Sequence, residues 1–330
     1  MKRPFFSIIM PVYNAMEWLP DSISSITSQS YPHWELICVN DGSDDKSLDL
    51  LTQSASVDSR IHILDQPNSG VSVARNNGIT AAKGDYIMFL DSDDFFDSNA
   101  LEILSQSITD SSPDLIIVQL REIDQNDHFS PSLNDSVAEV IKASLENILE
   151  HATPYVTDKV YKSEIIRTRN LLFDPLLTYT EDFHFWYRFA MQSEKIVKLG
   201  NFLYSHRLTP NSLSGRFLTR WQTCTSEELK KSLCLFCHLG ALCDEITNKN
   251  NQRIYRKELL VRATDFHLRT EKELFKLKGK RRCEALKTFH FPFRLLTKDL
   301  SVKDLLLAIR KGARTIYSMV RASIRYHFGH

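Results

Sequence analysis

Three carboxylates within four positions, Asp91, Asp93 and Asp94, follow directly on the apolar run Tyr86-Ile87-Met88-Phe89-Leu90. Strand interiors disfavour Asp, and three acids this close repel one another. Such a cluster at the end of a buried strand needs a compensating positive charge. A metal ion, a neighbouring Arg or Lys, and water are the alternatives. Two further polar groups break apolar runs in the same manner: Tyr13-Asn14 after FFSIIMPV, and Asn40-Asp41 after WELICV. A fourth group, Glu181-Asp182, opens an aromatic helical stretch, where a first-turn acid also suits the helix dipole.

The elements that must position these groups alternate. Strands are expected at 5–12, 34–39, 61–64, 85–90 and 115–120, with helices at 18–29, after Asp44-Asp45, at 71–82 and at 98–107. Asp44-Asp45 is expected to cap the second helix, and Thr180 the helix that starts TEDFHF. Further strands are expected at 156–161 and 195–199, with a polar loop at 123–136. Repeated strand–helix alternation predicts βαβ units and an α/β fold with a mostly parallel sheet. Ligands of such sheets bind beyond the carboxyl ends of the strands, where the polar groups fall. Neither a Gly-x-Gly-x-x-Gly after the first strand nor a Walker A sequence is present.

The chain has 330 residues, 42% hydrophobic and 25% charged, ordinary values for a globular protein. No apolar run reaches the about 18–20 residues of a membrane-spanning helix. The amino-terminal run is interrupted by Pro11, Tyr13 and Asn14, so it reads as a strand rather than a signal peptide and predicts a cytoplasmic protein. Six cysteines lack disulfide-framework spacing. Cys234-Leu-Phe-Cys237-His238 matches a haem-attachment motif by letter, but its place in an amphipathic helical stretch reads as core cysteine. Net charge is zero but divided. Residues 1–252 carry 21 Lys and Arg against 34 Asp and Glu, and residues 253–330 carry 20 against 7.

Five stretches in order, SIIMPVYN (7–14), NDGSDD (40–45), NSGVSVARNNGI (68–79), GDYIMFLDSDD (84–94) and TEDFHF (180–185), resemble glycosyltransferase family 2. The resemblance covers about residues 5–210 and implies a GT-A fold and an inverting transfer of sugar from a nucleotide donor. It implies a catalytic domain at 1–215, with its nucleotide-binding half at about 1–122 and its acceptor half at 123–215. By the same resemblance, Pro11, Tyr13 and Asp41 hold the base; an aromatic face with a carboxylate accepting an imide N–H makes a sensible uracil pocket. Asn68 and Arg75 would line the ribose and diphosphate. Asp91-Ser92-Asp93 matches the family's Asp-x-Asp motif, with Asp93 a direct ligand of Mn²⁺ or Mg²⁺ and Asp91 on ribose or metal-bound water. The compensating charge would then be the metal, and Asp94 would orient the loop. Asp182 matches the family's general base, with Glu181 in reserve. In LYSHRLTPNSLS (203–214), His206 is a candidate third metal ligand and Arg207 a candidate phosphate ligand.

Beyond about residue 215 the resemblance fades into a helical region, 216–330, basic from 253. Between Val302 and Phe328, apolar residues recur at helical spacing among Lys303, Arg310, Lys311, Arg314, Arg321 and Arg325. That pattern fits an interfacial helix on an anionic membrane, on the inner face of the cell membrane, and equally a helix packed on the catalytic body or on another subunit. No nucleic-acid-binding motif accompanies it. The expected partners are a nucleotide-sugar, most simply UDP-linked, and a glycan or lipid-linked glycan acceptor. Two rivals remain. A nucleotidyltransferase would carry a Gly-rich basic loop where PVYNAMEW stands, and a non-catalytic binding module would not need Asp41, Asp91, Asp93 and Asp182.

Overall fold

FSIIMPV and WELICVND are buried along their whole length, as strands covered on both faces must be. In the computed structural model they form β1 (Phe6–Val12) and β2 (Trp34–Asp41), paired in parallel with Val12 beside Asn40. The structure describes residues 3–129, 140–141, 153, 155–175, 177 and 181–209. The expected Thr180 cap, the Cys234–His238 motif and the basic stripe at 302–328 lie outside the described residues. One compact unit comprises Met1–Pro175 and Thr180–Thr209; a second comprises Leu176–Tyr179 and Pro210–His330.

The remaining elements of the first unit are α1 (Leu19–Thr27), α2 (Ser47–Val57), β3 (Ile61–Gln66), α3 (Val71–Ala81), β4 (Tyr86–Phe89), β5 (Phe95–Phe96), α4 (Ala100–Ser111) and β6 (Leu115–Asp124). They are followed by β7 (Val140–Ile141), β8 (Lys159–Lys162), α5 (Ser163–Thr168), α6 (Glu181–Ala190) and β9 (Ile196–Leu208). Among the described residues these nine strands form one sheet in the order β3-β2-β1-β4-β8-β6-β9-β5, with β7 also on β9. β3, β2, β1 and β4 are mutually parallel, as expected. β8 then enters antiparallel between β4 and β6, so the fifth expected strand does not lie beside the fourth. β6 and β9 are parallel, and β9 is far longer than the expected 195–199.

Alternating side chains give the sheet two apolar faces. On one, Ile8, Met10, Leu36 and Met88 join Leu19, Ile26 and Leu104 in the main core. On the other, Phe89 meets Tyr161, Phe173 and Phe185 at ring separations of 5.3–5.8 Å. Phe173 and Phe185 stack at 4.2 Å. Phe185 belongs to α6, so this aromatic cluster fixes the helix that begins Glu181-Asp182; truncating it to Ala would cost about 3–5 kcal/mol. α3 approaches the same face so closely that a Cβ on Gly78 would come within 2.3 Å of Ile9 Cγ2. The sheet's carboxyl edge therefore receives α3 and α6 side by side.

Candidate active site

The loops that follow β1 and β2 are joined to each other. Asn14, left-handed at φ 49°, accepts from Asp44 N at 2.9 Å, and its own N–H donates to Ser43 Oγ at 3.1 Å. Asp45, expected to cap α2, accepts from Ser47 N at 2.9 Å and from Met16 N at 3.1 Å. The cap position itself is Lys46, and Asp45 serves as a tie between the two loops. Tyr13 stands at the rim, 53% exposed, with Pro11 buried behind it in β1. Asp41, one residue beyond the Val12–Asn40 pair, is buried. Its Oδ1 accepts from Gln66 Nε2 at 2.7 Å and Ser69 N at 2.8 Å, and its Oδ2 from Gly70 N at 2.9 Å. Three of a carboxylate's roughly four acceptor sites are thus taken. Asp41, expected to receive the base, holds the loop before α3 in this structure. That loop carries the exposed Asn68 and passes so near Gly42, at φ +70°, that a Cβ there would sit 2.7 Å from Asn68 N.

Arg75, expected to line the ribose and diphosphate, meets carboxylates in this structure. It is buried, with Nη2 2.8 Å from Asp91 Oδ1 and Nη1 2.5 Å from Asp182 Oδ1. Glu181 Oε1 lies 4.0 Å away, and the Phe173 ring covers the guanidinium at 5.3 Å. Burial works against its charge, but Asp182, Asp91 and Glu181 raise its pKa above the ordinary value. The protein's own cation therefore answers part of the charge that the metal alone was expected to answer.

Asp94 is fully buried and does more than orient its loop. It accepts from Tyr204 Oη at 2.6 Å, from Arg207 N at 2.8 Å, and lies 3.1 Å from His206 Nδ1. These partners come from β9, whose Phe95–Ser205 and Phe96–Tyr204 pairing brings it under the Asp cluster. Burial opposes a charged His206, yet Asp94 at hydrogen-bond distance and the charges of Asp91 and Asp93 push it up to about 9. His206 meets Asp94 through Nδ1, with Tyr155 stacked on its ring at 5.5 Å.

Arg207, expected on phosphate, is wholly buried. Its Nε donates to Asp93 O at 2.8 Å, its Nη1 to Gln125 O at 3.2 Å and to Asp127 O, and its Nη2 to Asp21 Oδ2 at 3.0 Å. It is a strut beneath the Asp cluster. Ser22 Oγ, within 2.9 Å of Ser92 O and 2.6 Å of Asp94 O, braces the loop from α1. Tyr204, Asp21 and Ser22 escaped the sequence reading because nothing local marks them; only the β9 pairing and the α1 packing bring them in.

Asp182, expected as the general base, lies at the start of α6. Its Oδ1 faces Arg75, and its Oδ2 accepts from Val156 N at 3.3 Å. Burial pushes its carboxyl up, against the pull of Arg75. Burial and the charge of Asp182 push Glu181 up to about 7.

The donor set fits a hard divalent cation that shares its ligands with a diphosphate. Burial and the charges of Asp94 and Asp91 push Asp93 up to about 7, which marks negative charge that the protein's own groups leave largely uncompensated. Among the described residues no group of three or more His, Cys, Asp or Glu forms a cage for a metal ion.

A family model for Glycosyl transferase family 2 matches residues 7–190. The uncharacterized glycosyltransferase EpsJ of Bacillus subtilis (strain 168) is 33% identical over 218 residues, which cover 64% of this chain and 63% of EpsJ. The chain thus spans less than two thirds of that relative's length. Among solved structures, TarS 1-349 of S. aureus in complex with UDP-GlcNAc matches at a TM-score of 0.72 and 19% identity, over 97% of this chain and 92% of that one. The mannosyltransferase PcManGT of Pyrobaculum calidifontis, in complex with GDP-Man and Mn2+, matches at 0.58 and 16% identity, over 97% and 87%. Both likenesses show the GT-A fold. On the family match over more than half its length, the chain belongs to glycosyltransferase family 2.

Proposed function

We propose that this protein is an inverting, metal-dependent glycosyltransferase that moves a sugar from a UDP-linked donor to a hydroxyl of a glycan or lipid-linked glycan. The observation that carries the proposal is the placing of Asp182 and Asp91 on one guanidinium, that of Arg75, at 2.5 and 2.8 Å. It links the proton-accepting carboxylate to the Asp-Ser-Asp loop at the carboxyl edge of the parallel strands. The complex of TarS with UDP-GlcNAc supports the choice of donor.

In this reading Asp182 takes the proton of the acceptor hydroxyl as its oxygen bonds the anomeric carbon and the bond to the diphosphate breaks. One displacement from the face opposite the leaving group inverts the configuration. A base in a buried site, with its pKa lifted toward the working pH but its charge sustained by Arg75, suits that step. Asp93 and Asp91 would hold Mn²⁺ or Mg²⁺, which when bound stabilises the negative charge gathering on the departing diphosphate. Tyr13 offers an exposed ring for the base beside the Asp41-held loop. We infer further that the basic region from 253 holds the enzyme at the inner face of an anionic membrane, near a lipid-linked acceptor.

The test is a panel of UDP-GlcNAc, UDP-glucose, UDP-galactose and GDP-mannose with water as acceptor, in Mn²⁺, Mg²⁺ and EDTA. Release of nucleoside diphosphate from one UDP-sugar, lost in EDTA, is expected. No release from any donor in either metal would sink the reading.

A further inference from the structure

The deepest ion pair among the described residues serves no part of the chemistry above. Lys159 and Asp158 are 0% and 1% exposed, with Nζ 2.6 Å from Oδ1. Removing two charges from water is costly, so the pair must return something in the folded state. Its contacts say what. Lys159 Nζ also lies 2.5 Å from Tyr155 O, 3.2 Å from Thr153 O and 3.3 Å from Thr153 Oγ1. Thr153 Oγ1 in turn donates to Asp158 Oδ2 at 2.8 Å. Every one of these partners precedes Lys159 by one to six residues, so the ammonium gathers the approach to β8 into a closed turn.

We propose that the Lys159–Asp158 pair positions the general base, by fixing the turn whose Val156 N–H holds Asp182 Oδ2. The inference rests on Asp182 being that base. Two contacts tie the turn to α6. Val156 N reaches Asp182 Oδ2 at 3.3 Å, and the Trp186 ring, one helical turn beyond Asp182, covers Lys159 Nζ at 4.6 Å. The ammonium thus clamps the turn and the helix to each other at the point where the carboxylate is aimed. Tyr161 Oη donates to Val156 O at 3.3 Å and supports the turn from β8. The charged groups facing Asp182 are Arg75 from α3, Asp91 from the end of β4 and Glu181 from its own helix. None of these supplies the Oδ2 contact.

The test uses the whole chain and the most active donor of the panel above, with water as acceptor. Lys159→Met alone strands a buried carboxylate and is expected to fold poorly. Asp158→Asn combined with Lys159→Met removes both charges and is the deciding variant. It is expected to fold, with a Tm within a few degrees of wild type. Its kcat should fall by about 10- to 100-fold, the usual cost of a misplaced catalytic group, with donor KM within about threefold. The acid limb of its kcat profile should move to higher pH, because the Val156 contact that lowers the base's pKa is loosened. A folded double variant with wild-type kcat and pH profile overturns the proposal. So does a double variant that cannot fold, since the pair would then be structural only. Asp182→Asn run in parallel separates the two ideas. Full turnover there removes the base assignment itself, whereas its loss beside an unaffected double variant removes only the positioning role.

Discussion

Arg75 Nη1 and Asp182 Oδ1 stand 2.5 Å apart, although 107 positions separate them in the chain. The same guanidinium holds Asp91, so one planar cation sets the geometry between two acids. Lys cannot reproduce that fork. Arg75→Lys is therefore expected to lower kcat by about 100-fold, the cost of losing orientation at a reacting group. Because the charge of Arg75 lowers the pKa of Asp182, the acid limb of the pH–rate profile should move upward in Arg75→Gln, which removes that charge. An unchanged limb in stopped-time assays from pH 5 to 9 would show that Arg75 does not sustain the base's charge.

Asp182→Asn keeps the shape of the side chain and a carbonyl for Arg75 while removing basicity. Turnover should drop by about 10²–10⁴, the usual worth of a positioned base. Donor affinity, read by calorimetry with the uncleaved nucleotide UDP, should stay within about threefold. Normal turnover would move the role to Glu181, whose carboxyl, pushed up to about 7, is the alternative proton acceptor.

How much of this was legible in the sequence depends on the range of the interactions. β1, β2, β3 and β4 and the helices between them follow from local apolar runs, and the strand ends placed Tyr13, Asp41 and Asp91 on one edge. The rest hangs on pairing at long range. Nothing in VTDKVY says that β8 enters between β4 and β6, and nothing in SHRL says that β9 runs beneath the Asp cluster. Hence Arg207 reads as a phosphate ligand and stands wholly buried as a strut, and the contact of His206 Nδ1 with Asp94 goes unforeseen. Arg75 reads as lining the ribose and diphosphate, because α3 alone does not show the carboxylates Asp182 and Asp91 that meet it. Asp41, expected just past the strand 34–39, is the last residue of β2, and its donors arrive from the end of β3 and the β3–α3 loop, which no local pattern assigns.

Asp93 links metal binding to stability. Its carboxyl, near 3.9 in an unfolded chain and pushed up to about 7 in the fold, binds its proton more tightly when folded. Its contribution to stability is full below about pH 4 and is lost as pH rises through 7. At pH 7.5 in EDTA, Asp93→Asn should thus melt a few degrees above wild type, while losing transfer activity. Mn²⁺ should raise the Tm of wild type and not of the variant. Equal responses to Mn²⁺ in differential scanning fluorimetry would remove Asp93 from the metal site.

Arg207 offers the sharpest separation between support and substrate contact. Its guanidinium serves Asp93 O, Gln125 O, Asp127 O and Asp21 Oδ2 together, and lies 5.5 Å over the Phe95 ring. Arg207→Lys leaves a single ammonium at a wholly buried position that cannot reach all of these. Breaking such an arrangement costs about 3–5 kcal/mol, and each kcal/mol shifts the Tm of a domain this size by about 2–4 °C. A fall of roughly 6–20 °C is therefore expected, with donor KM for the folded variant changed by less than about threefold. A direct phosphate contact predicts the reverse: a Tm near wild type and a KM raised tenfold or more. Measuring both quantities on one purified variant decides between them.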